Sequence, residues 1–193
     1  MAPVQRRNLS WARMAAVQGT LAPVAHHHQV AVWLLRYGQR GWNAAPGCEP
    51  APVRDARWAI EQVGAAYEGV PVVLLGHSMG GRTAVAVADD PCVAGVVALA
   101  PWWPQHESVR ALAGKPLAVI HGTADRWTSP RWSRDFAERA RAAGSPVTYE
   151  TLPGLGHFML RKLGTWDRFA RRSSLGMLAV APYDQALHER LAR

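Results

Sequence analysis

The stretch that decides the fold is Val70-Pro71-Val72-Val73-Leu74-Leu75-Gly76-His77-Ser78-Met79-Gly80-Gly81. Its first six residues form a short apolar run, the pattern of a strand buried on both faces. Pro71 stands near the start, where a lost donor matters least. Residues 79–89 suit a helix. Ser78 therefore sits at a sharp strand-to-helix turn, with Gly76 and Gly80 two residues either side. So tight a turn needs small flanking residues. It holds the serine hydroxyl clear of the sheet at a helix N-terminus, where backbone N–H groups and the helix dipole favour negative charge. Gly81 lets that helix pack close to the strand.

Outward from this turn, apolar runs alternate with amphipathic ones. Residues 30–35, 93–99 and 117–120 read as further strands, and the alternating 147–152 as a fifth. Helices are expected at 8–25, at 52–68 with Trp58, Ile60 and Val63 facing the core, and at 130–143. Apolar strands separated by helices imply an α/β class, a three-layer sandwich whose mostly parallel sheet is covered on both faces. Such sheets bind ligands beyond the carboxyl ends of their strands. Chemistry is then expected in the loops after residues 36, 75, 100, 121 and 152.

A serine hydroxyl is a poor nucleophile without a base, and the base needs an acid to orient it. Asp125 follows the 117–120 run in His121-Gly122-Thr123-Ala124-Asp125. His157 follows the 147–152 run in Gly154-Leu155-Gly156-His157-Phe158. Taken singly, Asp125 reads equally well as a helix cap and His157 as a loop histidine. Together they fall at the same end of the sheet as Ser78, in the chain order serine, acid, histidine. The expected roles are Ser78 as nucleophile, His157 as base and Asp125 as orienting acid.

These three motifs resemble the α/β-hydrolase superfamily, particularly its small lysophospholipase- and esterase-like serine hydrolases. The resemblance spans about residues 8–170. It implies cleavage of an ester-type bond through an acyl-enzyme, on a small-molecule acyl substrate and without a cofactor. It also implies that Met79 supplies one oxyanion-hole N–H and that His77 supports the turn. Trp102, Trp103 and Trp127 lie on loops at the active end and are candidates for an acyl pocket, or else packing aromatics. Arg36, Tyr37, Arg40, Gly41 and Trp42 are candidates for a pocket wall.

The chain departs from the family pattern at its start. The superfamily places a strand ending in His-Gly ahead of the 30–35 run, and the loop after it gives the second oxyanion donor. The seven residues before Asn8 have no strand character. The expectation is an N-terminally truncated member, with the Ser78 strand left at an open edge or paired directly with 30–35. Loss of one oxyanion donor lowers turnover by roughly 10² to 10³. Residues 101–116 are also too few for a multi-helix lid, which favours small or exposed acyl substrates.

Composition excludes several classes. The 193 residues, 49% hydrophobic and 19% charged, suit one globular domain, with a core at about 8–170 and a C-terminal tail at 171–193. No apolar run is long enough to span a membrane, and no secretion signal is visible, so a cytoplasmic location is expected. The net charge of +8 invites a nucleic-acid reading. The basic residues are scattered arginines without interleaved aromatics, so no nucleic acid is expected. His26-His27-His28 cannot readily converge on one ion and reads as a loop, so no metal is expected. Cys48 and Cys92 have no redox or metal spacing. The competing readings are a catalytically impaired fragment or binding module, an acyltransferase with the same triad, and a basic nucleic-acid-associated domain.

Overall fold

The computed structural model describes residues 3–5, 8–44 and 46–178. Four strands, β1 (Val72–His77), β2 (Val93–Leu99), β3 (Leu117–Gly122) and β4 (Val147–Leu152), form one parallel sheet in the order β1-β2-β3-β4. Helices α1 (Leu9–His27), α2 (Ala51–Ala66), α3 (Met79–Ala86), α4 (Pro130–Ala142) and α5 (Leu163–Met177) cover it. The doubly covered sheet follows from period-two alternation in strands that are apolar on both sides. Val96, Ala98 and Val119 point to the layer that holds Val53 and Ile60 of α2, Val85 of α3 and Phe136 of α4. Val97, Leu99, Ala118 and Ile120 point the other way, onto Val17 of α1 and Trp166 and Phe169 of α5.

Local chemistry sets the helix boundaries. The Ser129 hydroxyl accepts from the Trp132 N–H at 3.2 Å and Pro130 takes the first position, a standard helix start. In α1, Val17, Leu21 and Val24 make one buried stripe at helical spacing. Arg13 lies on the same stripe, and its guanidinium meets Asp167 of α5 at 3.1 Å, with both side chains buried. A buried charge left without this partner would be strongly destabilising.

Four expectations need correction. Residues 30–35 do not form a strand. A strand exists only through its ladder, and this run pairs with no strand of the described sheet. Val30 and Val32 instead pack near Leu75 on the α1–α5 side, and the Val32 carbonyl accepts from Gln18 Nε2 at 3.3 Å. β1 is accordingly an end strand of the described sheet. Trp58 is 56% exposed, because the buried stripe of α2 runs through Val53, Ala56 and Ile60. His26 and His27 are not in a loop but form the last turn of α1. The expected core boundary at residue 170 falls inside α5, which continues to Met177. Residues 179–193 of the expected tail lie outside the described residues.

All four strands are parallel, and after a register shift at Val72/Val73 their carboxyl ends align, His77 beside Leu99 and Gly122 beside Leu152. Their carboxyl ends therefore open on one side. Ser78 follows β1, Asp125 follows β3 and His157 follows β4 on that side.

Candidate active site

Ser78 has φ 55° and ψ −119°. A non-glycine residue reaches such a conformation only where its surroundings force it, at a cost of about 1–3 kcal/mol. Here the adjacent strand β2 and the loop after it do much of the forcing. The Ser78 N–H donates to the Leu99 carbonyl at 3.1 Å, while the Ser78 carbonyl accepts from the N–H groups of Gly81 and Trp102 at 3.1 and 3.0 Å. A Cβ on Gly76 would sit 2.3 Å from the Gly80 backbone, so glycine is obligatory there. On Gly81 a Cβ would press on Pro101 at 3.0 Å. Gly80 has room, since a Cβ there would meet only the Tyr37 hydroxyl at 3.8 Å. Close approach of backbone therefore accounts for the first glycine of the turn but not the second.

The three residues expected to act together are brought together. His157 Nε2 lies 3.0 Å from Ser78 Oγ, and His157 Nδ1 lies 2.8 Å from Asp125 Oδ2. An ionised carboxylate only accepts, so Nδ1 must carry the proton that it donates to Asp125. With that nitrogen protonated, neutral His157 presents the Nε2 lone pair to the Ser78 hydroxyl, as a general base requires. Asp125 and His157 are buried, while Ser78 is half-buried and reachable.

Asp125 is held by more than its base. Its Oδ2 also accepts from His121 Nε2 at 3.1 Å and from the Thr128 hydroxyl at 2.8 Å. Its Oδ1 accepts from the N–H groups of Trp127 and Thr128 at 2.8 and 2.9 Å. Burial alone would raise its pKa. The hydrogen bonds from His121, His157 and Thr128 outweigh burial and hold the carboxyl well below the usual carboxylate range. Sequence reasoning missed Thr128 and gave His121 no role. Spacing carried only the Asx turn from Asp125 to the Trp127 N–H two residues on; the Thr128 hydroxyl and His121 had no local signal.

The buried network continues past His121. Its Nδ1 lies 2.8 Å from Ser133 Oγ, which lies 2.8 Å from the Tyr149 hydroxyl. With His121 neutral, Ser133 donates to Nδ1, and the Tyr149 hydroxyl donates to Ser133 Oγ.

His77 supports more than the turn. Its Nε2–H donates to the His157 carbonyl at 3.0 Å, and the two rings lie 4.7 Å apart. It ties the serine turn to the histidine loop. Burial first, and then the neighbouring His157, lower its pKa to about 4.

The remaining site residues divide. Met79 is the first residue of α3, so its N–H has no acceptor within the helix. Trp102 is half-buried and meets Trp42 edge-on at 6.4 Å, and the Arg82 guanidinium lies over both rings, 4.8 and 4.0 Å from their centroids. Trp127 is 74% exposed and meets Phe158 edge-on at 5.3 Å. Trp103 does not line the opening: it is 2% exposed, stacked on Phe136 at 4.0 Å, and donates to the Gly81 carbonyl at 3.3 Å. An open groove of about 520 Å³ between Pro116, Pro146 and Met177 lies at the opposite, amino ends of β3 and β4.

Residues 50–115 match the family model described as serine aminopeptidase, S33. The match takes in the Ser78 turn and stops before Asp125 and His157. No curated protein sequence matches the chain. Among solved structures, the chain is similar to an α/β serine hydrolase homologue from Coxiella burnetii, with a TM-score of 0.60 at 21% identity, over 88% of this chain and 77% of that one. It is similar to an α/β hydrolase of unknown function from Agrobacterium tumefaciens, with a TM-score of 0.63 at 20% identity, over 84% and 78% of the two chains. It is also similar to acyl-protein thioesterase 2 from Zea mays, with a TM-score of 0.55 at 16% identity and 74% of each chain covered. On this evidence the chain carries the α/β-hydrolase fold.

Proposed function

We propose that this chain is a serine hydrolase that cleaves carboxylic esters or thioesters. The observation that carries this reading is the unbroken hydrogen-bonded line from Ser78 Oγ through His157 to Asp125, at 3.0 and 2.8 Å. Ser78 Oγ attacks the carbonyl carbon and its proton passes to His157 Nε2. The oxyanion forms beside the Met79 N–H. The tetrahedral adduct then collapses, the bond to the leaving oxygen or sulfur breaks, and the proton on Nε2 goes to that atom. Water repeats the sequence on the acyl-enzyme, releasing the acid and restoring Ser78.

The aminopeptidase description of the matching family model suggests an amide substrate with a free amino terminus. A protonated amine calls for an acidic partner. Asp125 is the sole acidic residue in the 123–129 and 153–162 loops and is buried beside His157, and Glu107 in the segment after β2 is already paired with Arg82. This favours a neutral or anionic acyl compound.

A fluorophosphonate probe tests the reading. Wild-type protein should be labelled and should release p-nitrophenol from p-nitrophenyl acetate, and Ser78→Ala should do neither. Folded wild-type protein that is never labelled would sink the proposal. One observation favours the second reading, an impaired hydrolase or binding module: β1 ends the described sheet on the side where the superfamily pattern places the second oxyanion donor. Stoichiometric labelling with negligible turnover would support it.

A further inference from the structure

Two short loops form the rim beside His157, and their composition is unusual. Loops 123–129 and 153–162, with Leu163 at the start of α5, carry Trp127, Phe158, Leu160 and Leu163, four of the ten large apolar side chains exposed among the described residues. Trp127 and Leu160 are 74% and 63% exposed. Scattered exposed apolar residues need no explanation. These are clustered: Trp127 touches Phe158, and Phe158 touches the His157 ring at 5.4 Å. Exposed Arg126, Arg161 and Lys162 alternate with them, and the loops expose no acidic side chain.

The backbone presents this cluster outward. Met159 and Lys162 both have positive φ, 54° and 51°, in a stretch where neither is glycine. The first bend buries Met159 while its neighbours Phe158 and Leu160 stay exposed. Strain of this kind persists where the surrounding structure over-determines it, and it concentrates at functional segments. Residues 101–116, between β2 and β3, add only one short turn, Arg110–Leu112, above the sheet.

We infer that this rim docks on an anionic lipid surface and brings acyl compounds held in that surface to Ser78. Tryptophan, phenylalanine and leucine at the tip with arginine and lysine beside them is the composition of segments that lie in a bilayer interface. Charge complementarity selects the anionic surface, since every exposed charge on the two loops is positive. Docking also supplies the apolar surroundings that a lid would give, so the acyl chain need not be swallowed by the protein. The inference rests on the hydrolase reading only for the chemistry after docking; the docking itself does not require turnover.

The test is therefore made with the full chain carrying Ser78→Ala, in sedimentation with vesicles. Vesicles of phosphatidylcholine and phosphatidylglycerol should bind it, and pure phosphatidylcholine should bind it far less. Arg161→Gln with Lys162→Gln should weaken binding to the anionic vesicles about five-fold per charge removed. Leu160→Asp should abolish it. In the Ser78 background these variants should hydrolyse soluble p-nitrophenyl acetate at the wild-type rate, which shows that they fold. Three results would overturn the inference. The first is no binding to anionic vesicles by folded protein. The second is equal binding to neutral and anionic vesicles that is unchanged by the double variant. The third is a lipid-free dimer, seen by analytical ultracentrifugation, that Leu160→Asp dissociates, which would make a second copy the occupant. Failure of ester hydrolysis alongside intact vesicle binding would count against the hydrolase reading alone.

Discussion

His121 and His157 donate to the same oxygen, Oδ2 of Asp125, at 3.1 and 2.8 Å. The acid of the proposed triad thus divides its charge between the base and a second, fully buried imidazole. Each donor to a carboxylate stabilises its charge and weakens its pull on the others. Removing the His121 donor should leave more negative charge facing His157. For His121→Phe the acid limb of the kcat/KM profile is expected at higher pH than in the wild type. A profile that only drops in height, with the limb unmoved, would show that His121 is structural filler.

The strain at Ser78 predicts a stability difference between two inactive variants. Glycine tolerates φ 55° and alanine does not. Ser78→Gly should unfold at higher urea than Ser78→Ala, by about 1 kcal/mol. Both should fail to react with a fluorophosphonate. Equal midpoints would mean that the turn relaxes once the hydroxyl is gone.

His77 makes stability depend on pH. Its folded pKa of about 4 lies below the ordinary value of 6.5. Between these two values the unfolded chain binds a proton there that the folded chain refuses. Stability therefore falls as pH drops from about 6.5 to about 4, and below that this group takes away no more. The total is roughly 3 kcal/mol. Asp125 acts in the same sense at lower pH: its depressed pKa adds stability above the ordinary carboxylate range, and that stability is lost as pH falls through and below it. In His77→Gln the slope of unfolding free energy against pH across the His77 window should fall by up to about 1.4 kcal/mol per pH unit. An unchanged slope would remove His77 from the account.

Gly122 sets the position of the base from a distance. A Cβ there would fall 2.2 Å from the Leu155 carbonyl oxygen, which accepts from the Ala124 N–H at 3.0 Å. Gly122→Ala must displace Leu155, two residues before His157. A shift of about 1 Å at a catalytic group costs on the order of 100-fold. Turnover and probe labelling should fall together by that amount. Full activity would show that the loop yields without moving the imidazole.

The sequence by itself determined the Ser78 turn, because its tightest constraint is near in the chain: Gly76 is excluded from bearing a side chain by the backbone of Gly80 and Gly81, while Leu99 and Trp102 only hold the turn once it is formed. It also determined which strand ends bear Asp125 and His157, because parallel strands joined by helices leave their carboxyl ends on one side. The tertiary structure decided what depends on distant partners. Residues 30–35 have strand composition but no ladder, since pairing is a property of two segments. Trp58 and Trp103 look alike in sequence, yet one is 56% and the other 2% exposed, because the stripe of α2 passes beside the first and Phe136 stacks on the second. That His121 and His157 meet on one carboxylate oxygen was equally out of reach, for it needs β3 and β4 side by side in the register that the sheet imposes.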